Sequence, residues 1–181
     1  PPLSPSVVQT HGGHQSPSHW TWFCQGGTPH CCGEGTCDSV WSQSLVATSS
    51  QRPNAMVLMS PWCDLTCSGP TIESNRRIDP MLHPSWLTSS AEMYAADIPK
   101  STPGLSPLFG DMSGYPRTLI QVGSDEILLS DSTRAETAMK EAGVDVTLQI
   151  SEGMWHVFQF HAAFLKSSKK AVYRIGEFLR Q

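Results

Sequence analysis

Three short apolar runs alternate with amphipathic stretches over residues 54 to 181, and this alternation constrains the fold more than any other feature. The runs are AMVLMS near residue 55, TLIQV at 118–122 and VDVTLQI at 144–150. The first two have the length and apolar content of buried strands, and the third alternates as a strand with one better-buried face does. The sequence therefore predicts three strands of one sheet.

The stretches between and after these runs predict helices. PSWLTSSAEMYAA begins with Pro84 at a plausible first helical position, and DSTRAETAMKEAG ends at Gly143, where a helix would stop. Asp131 or Ser132 would cap the second of these helices. A closing helix over the sheet is predicted from one apolar stripe, formed by Phe164, Ala171, Val172, Ile175, Phe178 and Leu179.

Strands that alternate with helices favour an α/β fold with a parallel sheet and right-handed crossovers. The loops beyond the carboxyl ends of such strands carry the chemistry. Asp125 follows the strand at 118–122 and His156 follows the strand at 144–150. A carboxylate that accepts the Nδ1 proton of an imidazole leaves Nε2 free to activate a nucleophile. Asp125 and His156 are therefore predicted as an acid and base pair, although a lone Asp and a lone His in loops are more often solvated surface groups.

Residues 1 to 53 differ in composition from residues 54 to 181. The segment up to Arg52 contains four of the chain's 6 cysteines and four of its 7 histidines. Neither helical nor strand periodicity persists there, and Gly, Pro and Ser interrupt the apolar pieces. We expect an irregular segment that is poorly ordered or not homologous to the rest, followed by one α/β unit.

Charge and hydropathy exclude two classes of partner. A net charge of −4 with 12 basic residues gives no basic patch for a phosphate backbone, so nucleic acid is not expected as a partner. No run of 18 apolar residues predicts a membrane span. No signal peptide is visible, and a cytoplasmic location is expected.

Four stretches in order resemble one known family. SPWCDLT, SPLFGDMSGYPRTLIQVGSDEILLSDS, EAGVDVTL and GMWHVFQF are similar to the C-terminal part of the α/β-hydrolase fold-3 family, the relatives of hormone-sensitive lipase. The resemblance implies a carboxylic-ester hydrolase with a small acyl-ester substrate and no metal or cofactor. It implies Asp125 as the triad acid and His156 as the base. Trp62 and Asp64 would be structural, and Asp131 a helix cap.

The nucleophile is the part of this family's site that the sequence does not supply. The family uses a serine in a G-x-S-x-G elbow, which is absent from the chain. The nearest imitations are WFCQG and GTCDS, which place Cys24 or Cys37 at the nucleophile position, each with one glycine missing. VVQTHGG resembles the oxyanion motif of the family, which would assign Gly12 and Gly13 to the oxyanion hole. The spacing to Ser60 favours a chance match.

Two other interpretations remain open. His30, Cys31, Cys32 and Cys37 could bind zinc, although adjacent cysteines give a poor ligand spacing. Alternatively, the chain is a non-catalytic hydrolase remnant that serves as a binding module. In that case the strand at 56 to 60 would present an uncovered apolar edge, through which the chain could self-associate.

Overall fold

The computed structural model describes the strand Trp22–Cys24 and residues 53–181. Four parallel strands lie side by side in chain order: β1 (Trp22–Cys24), β2 (Ala55–Met59), β3 (Arg117–Gly123) and β4 (Val146–Ser151). Strands β2 to β4 correspond to the three predicted apolar runs. A parallel sheet with flanking helices confirms the predicted α/β fold class.

The helices connect and flank these strands. They are α1 (Thr71–Ser74), α2 (Pro84–Ala95), α3 (Leu129–Glu141) and α4 (Lys166–Leu179), with 3-10 turns at Pro107–Phe109 and Phe158–His161. Within the described part of the chain, no helix is both long and apolar enough to cross a membrane.

Each face of the sheet is covered by a helix. On one face Ala135 and Met139 of α3 belong to a buried cluster with strand residues such as Ile120. On the other face Ile175 of α4 packs with Val57 and Leu119. Leu119 and Ile120 are neighbours in β3 that point to opposite faces, as the pleat of a strand requires. Both faces of β3 are therefore shielded from water, which explains why its sequence is a continuous apolar run.

The predicted uncovered edge of β2 is wrong. β1 pairs with β2 in parallel, with Trp22 aligned to Val57 and Cys24 aligned to Met59. The short β1 had no recognisable strand pattern in the sequence. β1 occupies this edge over three residues, and self-association of the chain stays a prediction.

The helix boundaries confirm some predictions and correct others. α2 begins at Pro84 as predicted, and the Nδ1 atom of His83 accepts a hydrogen bond from the backbone N–H of Ser85. α3 begins at Leu129, so Asp131 lies inside its first turn and is not its N-cap. Phe164 precedes α4 rather than joining its buried stripe, and 88% of its surface is exposed.

Candidate active site

His156 lies in the loop that follows β4 and is almost fully buried. Its Nδ1 atom lies 3.1 Å from Oε2 of Glu126, whose side chain has no exposed surface. Glu126 lies in the loop that follows the adjacent strand β3. The parallel sheet thus brings a carboxylate and an imidazole together at the carboxyl edge of the sheet, where ligands of such folds bind.

The structure corrects the predicted partner of His156. The Asp125 carboxylate accepts a hydrogen bond from Ser124 Oγ at 2.7 Å, and the Asp125 backbone N–H donates to the carbonyl of Met154 at 2.9 Å. The imidazole meets Glu126 instead. Two adjacent carboxylates follow β3 in the sequence, and spacing cannot distinguish them. The side chain of Glu126 is the one that the loop turns into the protein interior.

The other oxygen of Glu126 is held by two donors. Oε1 accepts hydrogen bonds from the Ser60 hydroxyl at 2.8 Å and from the Gly123 backbone N–H at 2.6 Å. Hydrogen bonds from two fixed donors to one oxygen restrict the rotation of a carboxylate. Glu126 therefore has one oxygen fixed by the sheet and the other directed at the imidazole. The sequence did not single out Ser60 for this site.

The loop that carries His156 has a strained backbone at one point. Val157 has a φ of 46°, in the left-handed region that β-branched residues rarely adopt. The Val157 backbone N–H donates to Ser60 Oγ at 3.0 Å. At the start of the loop, the Gly153 N–H donates to Ser124 Oγ at 2.8 Å. Hydrogen bonds to the loops after β2 and β3 thus hold the base-bearing loop at both ends.

A second buried network lies around Asp64, which the sequence assigned a structural role. Its carboxylate pairs with Arg134 at 2.9 Å and accepts hydrogen bonds from Thr66 and Ser68. Burial would raise the pKa of Asp64, but the hydrogen bonds from Ser68, Thr66 and Arg134 together lower it. This network joins the loop after β2 to helix α3.

Asp131 binds that same loop from α3. Its Oδ2 atom accepts from the backbone N–H groups of Cys63 and Asp64, at 2.9 and 3.0 Å. Its Oδ1 atom is buried and has no hydrogen-bond partner among the described residues. Burial raises the pKa of Asp131 to about 7; the Cys63 N–H opposes this shift and the charge of Asp64 adds to it. The carboxyl group fastens two chain segments together rather than capping a helix.

Asp131→Asn is expected to stabilise the protein increasingly as pH rises. The pKa of about 7 in the folded state exceeds the usual value of about 3.9 in the unfolded state. Between these two pKa values the folded protein keeps a proton on Asp131 that the unfolded chain has released. The stability that this proton contributes is therefore lost as pH rises through 7. The amide should gain on the order of 2–4 kcal/mol relative to wild type between pH 4 and pH 8. Urea unfolding at both pH values measures this difference. A constant difference across this range would contradict the assigned cause.

Several predicted site residues fall outside the described part of the chain. Cys37, Gly12, Gly13 and the predicted zinc ligands His30, Cys31 and Cys32 lie there, and those predictions stay open. Cys24 is the last residue of β1, and its backbone is in register with Met59, one residue before Ser60. Within the described residues, no group of three or more His, Cys, Asp or Glu side chains could hold a metal ion.

Comparisons with known proteins agree with this architecture. A family model described as alpha/beta hydrolase fold matches residues 37–160. An esterase of Acinetobacter venetianus is 39% identical over 127 residues, covering 70% of this chain and 42% of the relative. An acetyl-hydrolase of Streptomyces hygroscopicus is 36% identical over 138 residues, covering 76% of this chain and 46% of the relative. The crystal structure of an esterase from the bacterial hormone-sensitive lipase family matches with a TM-score of 0.76 and 37% identity, covering 78% of this chain and 48% of that one.

These matches confirm the resemblance noted in the sequence and extend it. The family match begins at residue 37, within the segment whose composition differs from the rest. The chain spans about half the length of the relatives that it matches.

Proposed function

Because the chain belongs to the α/β-hydrolase fold family, we propose that it hydrolyses small carboxylic esters, with His156 as the base and Glu126 as the carboxylate that orients it. The observation that carries this proposal is the buried contact of 3.1 Å between His156 Nδ1 and Glu126 Oε2. The predicted assignment of the acid to Asp125 is replaced by Glu126, since Asp125 has a different hydrogen-bond partner.

In the proposed reaction, Glu126 accepts a hydrogen bond from the Nδ1–H of His156 and stabilises the imidazolium that forms when Nε2 takes the proton of the nucleophile. The nucleophile attacks the ester carbonyl, and His156 returns the proton to the departing alcohol. Water, activated by His156 in the same way, then attacks the acyl-enzyme and releases the carboxylic acid. No step requires a metal or an organic cofactor.

Ser60 is not a suitable nucleophile despite its position at the site. Its hydroxyl donates to Glu126 and accepts from the Val157 N–H. Its proton is therefore directed at the carboxylate rather than at an imidazole nitrogen, and it has no exposed surface from which to reach a substrate. A nucleophile must contact the base that activates it.

Two cysteines are the remaining proposals for the nucleophile. Cys24 ends β1, and parallel pairing places the end of that strand at the edge of the sheet where Glu126 and His156 lie. Cys37 lies outside the described residues and is proposed from its sequence context alone. The proposal also keeps Gly12 and Gly13 as the oxyanion hole. A cytoplasmic enzyme is proposed, on the support of the free thiol of Cys67.

The test is hydrolysis of p-nitrophenyl butyrate by the purified chain and by its His156→Ala variant. We expect the wild-type rate to exceed background and the variant to lose at least about 100-fold, the usual minimum for a missing general base. Cys24→Ala and Cys37→Ala then locate the nucleophile. Cys67→Ala is the matched control, since burial and the nearby charges of Asp131 and Asp64 raise the pKa of that thiol to about 11. A thiol with such a pKa is not a nucleophile at neutral pH.

Equal background rates in the wild type and in His156→Ala would overturn the catalytic proposal. The absence of a G-x-S-x-G elbow from the sequence favours a second candidate function, a hydrolase remnant that binds acyl compounds without cleaving them. Saturable binding of butyrate ester without turnover would support that function.

A further inference from the structure

Ser60 connects the two groups of the proposed site through one hydroxyl. Its Oγ donates to Glu126 Oε1 at 2.8 Å and accepts from the Val157 backbone N–H at 3.0 Å. Val157 directly follows His156 in the chain. One atom therefore binds both the acid and the loop that carries the base, and neither Ser60 nor Glu126 has exposed surface through which water could replace these bonds.

Both ends of the Ser60–Val157 hydrogen bond have unusual backbone conformations. Ser60 has a φ of 49° and Val157 a φ of 46°, and neither is glycine. Such conformations are strained in residues that carry a Cβ and persist only where the surroundings enforce them. Here the Ser60 N–H also donates to the Gln121 carbonyl at 2.7 Å, which fixes the start of the turn against β3. Strain of this kind clusters at functional sites.

We infer that Ser60 is a positioning residue that sets which nitrogen of His156 carries the proton. The inference rests on the proposed function only in the roles that it gives to Glu126 and His156. Oε1 of Glu126 has two donors, Ser60 Oγ and Gly123 N, at the end of the carboxylate that faces away from His156. The Gly123 N–H alone does not fix the rotation of the carboxylate, because one hydrogen bond leaves it free to swing about that contact. With the hydroxyl present, Oε2 is held at Nδ1, and the proton stays on that nitrogen.

The test uses variants that separate the hydroxyl from the strained backbone. Ser60→Gly removes the hydroxyl and relieves the positive φ, whereas Ser60→Ala removes the hydroxyl and keeps the strain. Ala96→Gly is the matched control for strain relief, since Ala96 has a φ of 48° at the end of α2, away from the site. Urea unfolding of each variant shows whether it remains folded.

The readout is the tautomer of neutral His156, observed by ¹⁵N NMR on chains with labelled histidine and assigned with His156→Gln. We expect proton occupancy on Nδ1 in wild type and in Ala96→Gly. In both Ser60 variants the ratio of the Nδ1–H to the Nε2–H form should fall by about tenfold, the equivalent of one hydrogen bond to a charged group. Where ester hydrolysis is observed, kcat should fall with this ratio while KM stays unchanged.

Two results would overturn the inference. One is a tautomer ratio in the folded Ser60→Gly or Ser60→Ala chain equal to that of wild type, since a purely structural hydroxyl would change stability and not the ratio. The other needs no variant: rapid hydrogen exchange at the Val157 amide of wild type would show that the Ser60 bond is absent. Neither result depends on hydrolysis, so a chain without esterase activity can still confirm the role of Ser60, and an active chain can still refute it.

Discussion

Glu126→Gln is expected to reduce kcat for p-nitrophenyl butyrate by about 10⁴-fold, the loss produced when a triad carboxylate becomes an amide. The hydrogen bonds of Glu126 explain why the loss should be so large. Oε1 accepts from Ser60 Oγ and Gly123 N, so the oxygen of a glutamine would occupy that end. The amide nitrogen would then face His156 Nδ1. The amide N–H would donate to Nδ1, so the imidazole proton would move to Nε2. A protonated Nε2 cannot accept the proton of the nucleophile.

The control for this prediction is the adjacent acid. Asp125→Asn should leave kcat within about threefold, because the Asp125 carboxylate contacts Ser124 Oγ rather than the imidazole. The two variants remove one negative charge each from neighbouring positions, so general electrostatic effects are nearly matched. A larger loss in Asp125→Asn than in Glu126→Gln would show that the acid is Asp125.

Gly123→Ala is expected to destabilise the protein by about 3 kcal/mol, the upper part of the usual range for overpacking a buried site. A Cβ on Gly123 would lie 2.1 Å from the Met154 carbonyl oxygen and 2.9 Å from the Trp155 backbone nitrogen. These are backbone atoms, which cannot rotate away as a side chain could. The loop that carries His156 must therefore move as a whole, and we expect hydrolysis to fall along with stability.

Urea unfolding measures the stability change of Gly123→Ala. Gly104→Ala is the matched control, since a Cβ there would meet nothing within 4 Å. The control should change the free energy of unfolding by less than about 0.5 kcal/mol, as surface substitutions usually do. If the two variants proved equally stable, the close approach of Gly123 to the His156 loop would not exist in solution.

The centre of the sheet was predictable from the sequence because its strands there are buried on both faces. This holds for β2 and β3, which read as apolar runs for that reason. No residue of β4 is fully buried, and 49% of Ile150 is exposed although the alternating pattern placed it on the better-buried face. β1 was missed because three residues are too few to carry a periodic pattern, and its position depends on pairing with β2.

The site was predictable only to within one residue. Strand order predicts an acid and a histidine at the same edge of the sheet, and in the structure Glu126 and His156 meet at that edge. The choice between Asp125 and Glu126 depends on how the loop after β3 turns, which local sequence does not specify. Ser60 belongs to the SPW motif, but its role could not be predicted because its contacts to Glu126 and Val157 join residues that are distant in the chain.

The separation of these residues along the sequence affects the order in which the protein folds. Ser60 lies 66 positions from Glu126 and 97 from Val157, and every strand pair of this sheet is parallel and therefore non-local. Contacts between remote segments form slowly, because the entropy of closing long loops must be lost before any contact compensates for it. The hydrogen bonds that align acid and base can form only once β2, β3 and β4 have assembled. A partly folded chain would thus contain Glu126 and His156 without the geometry that joins them.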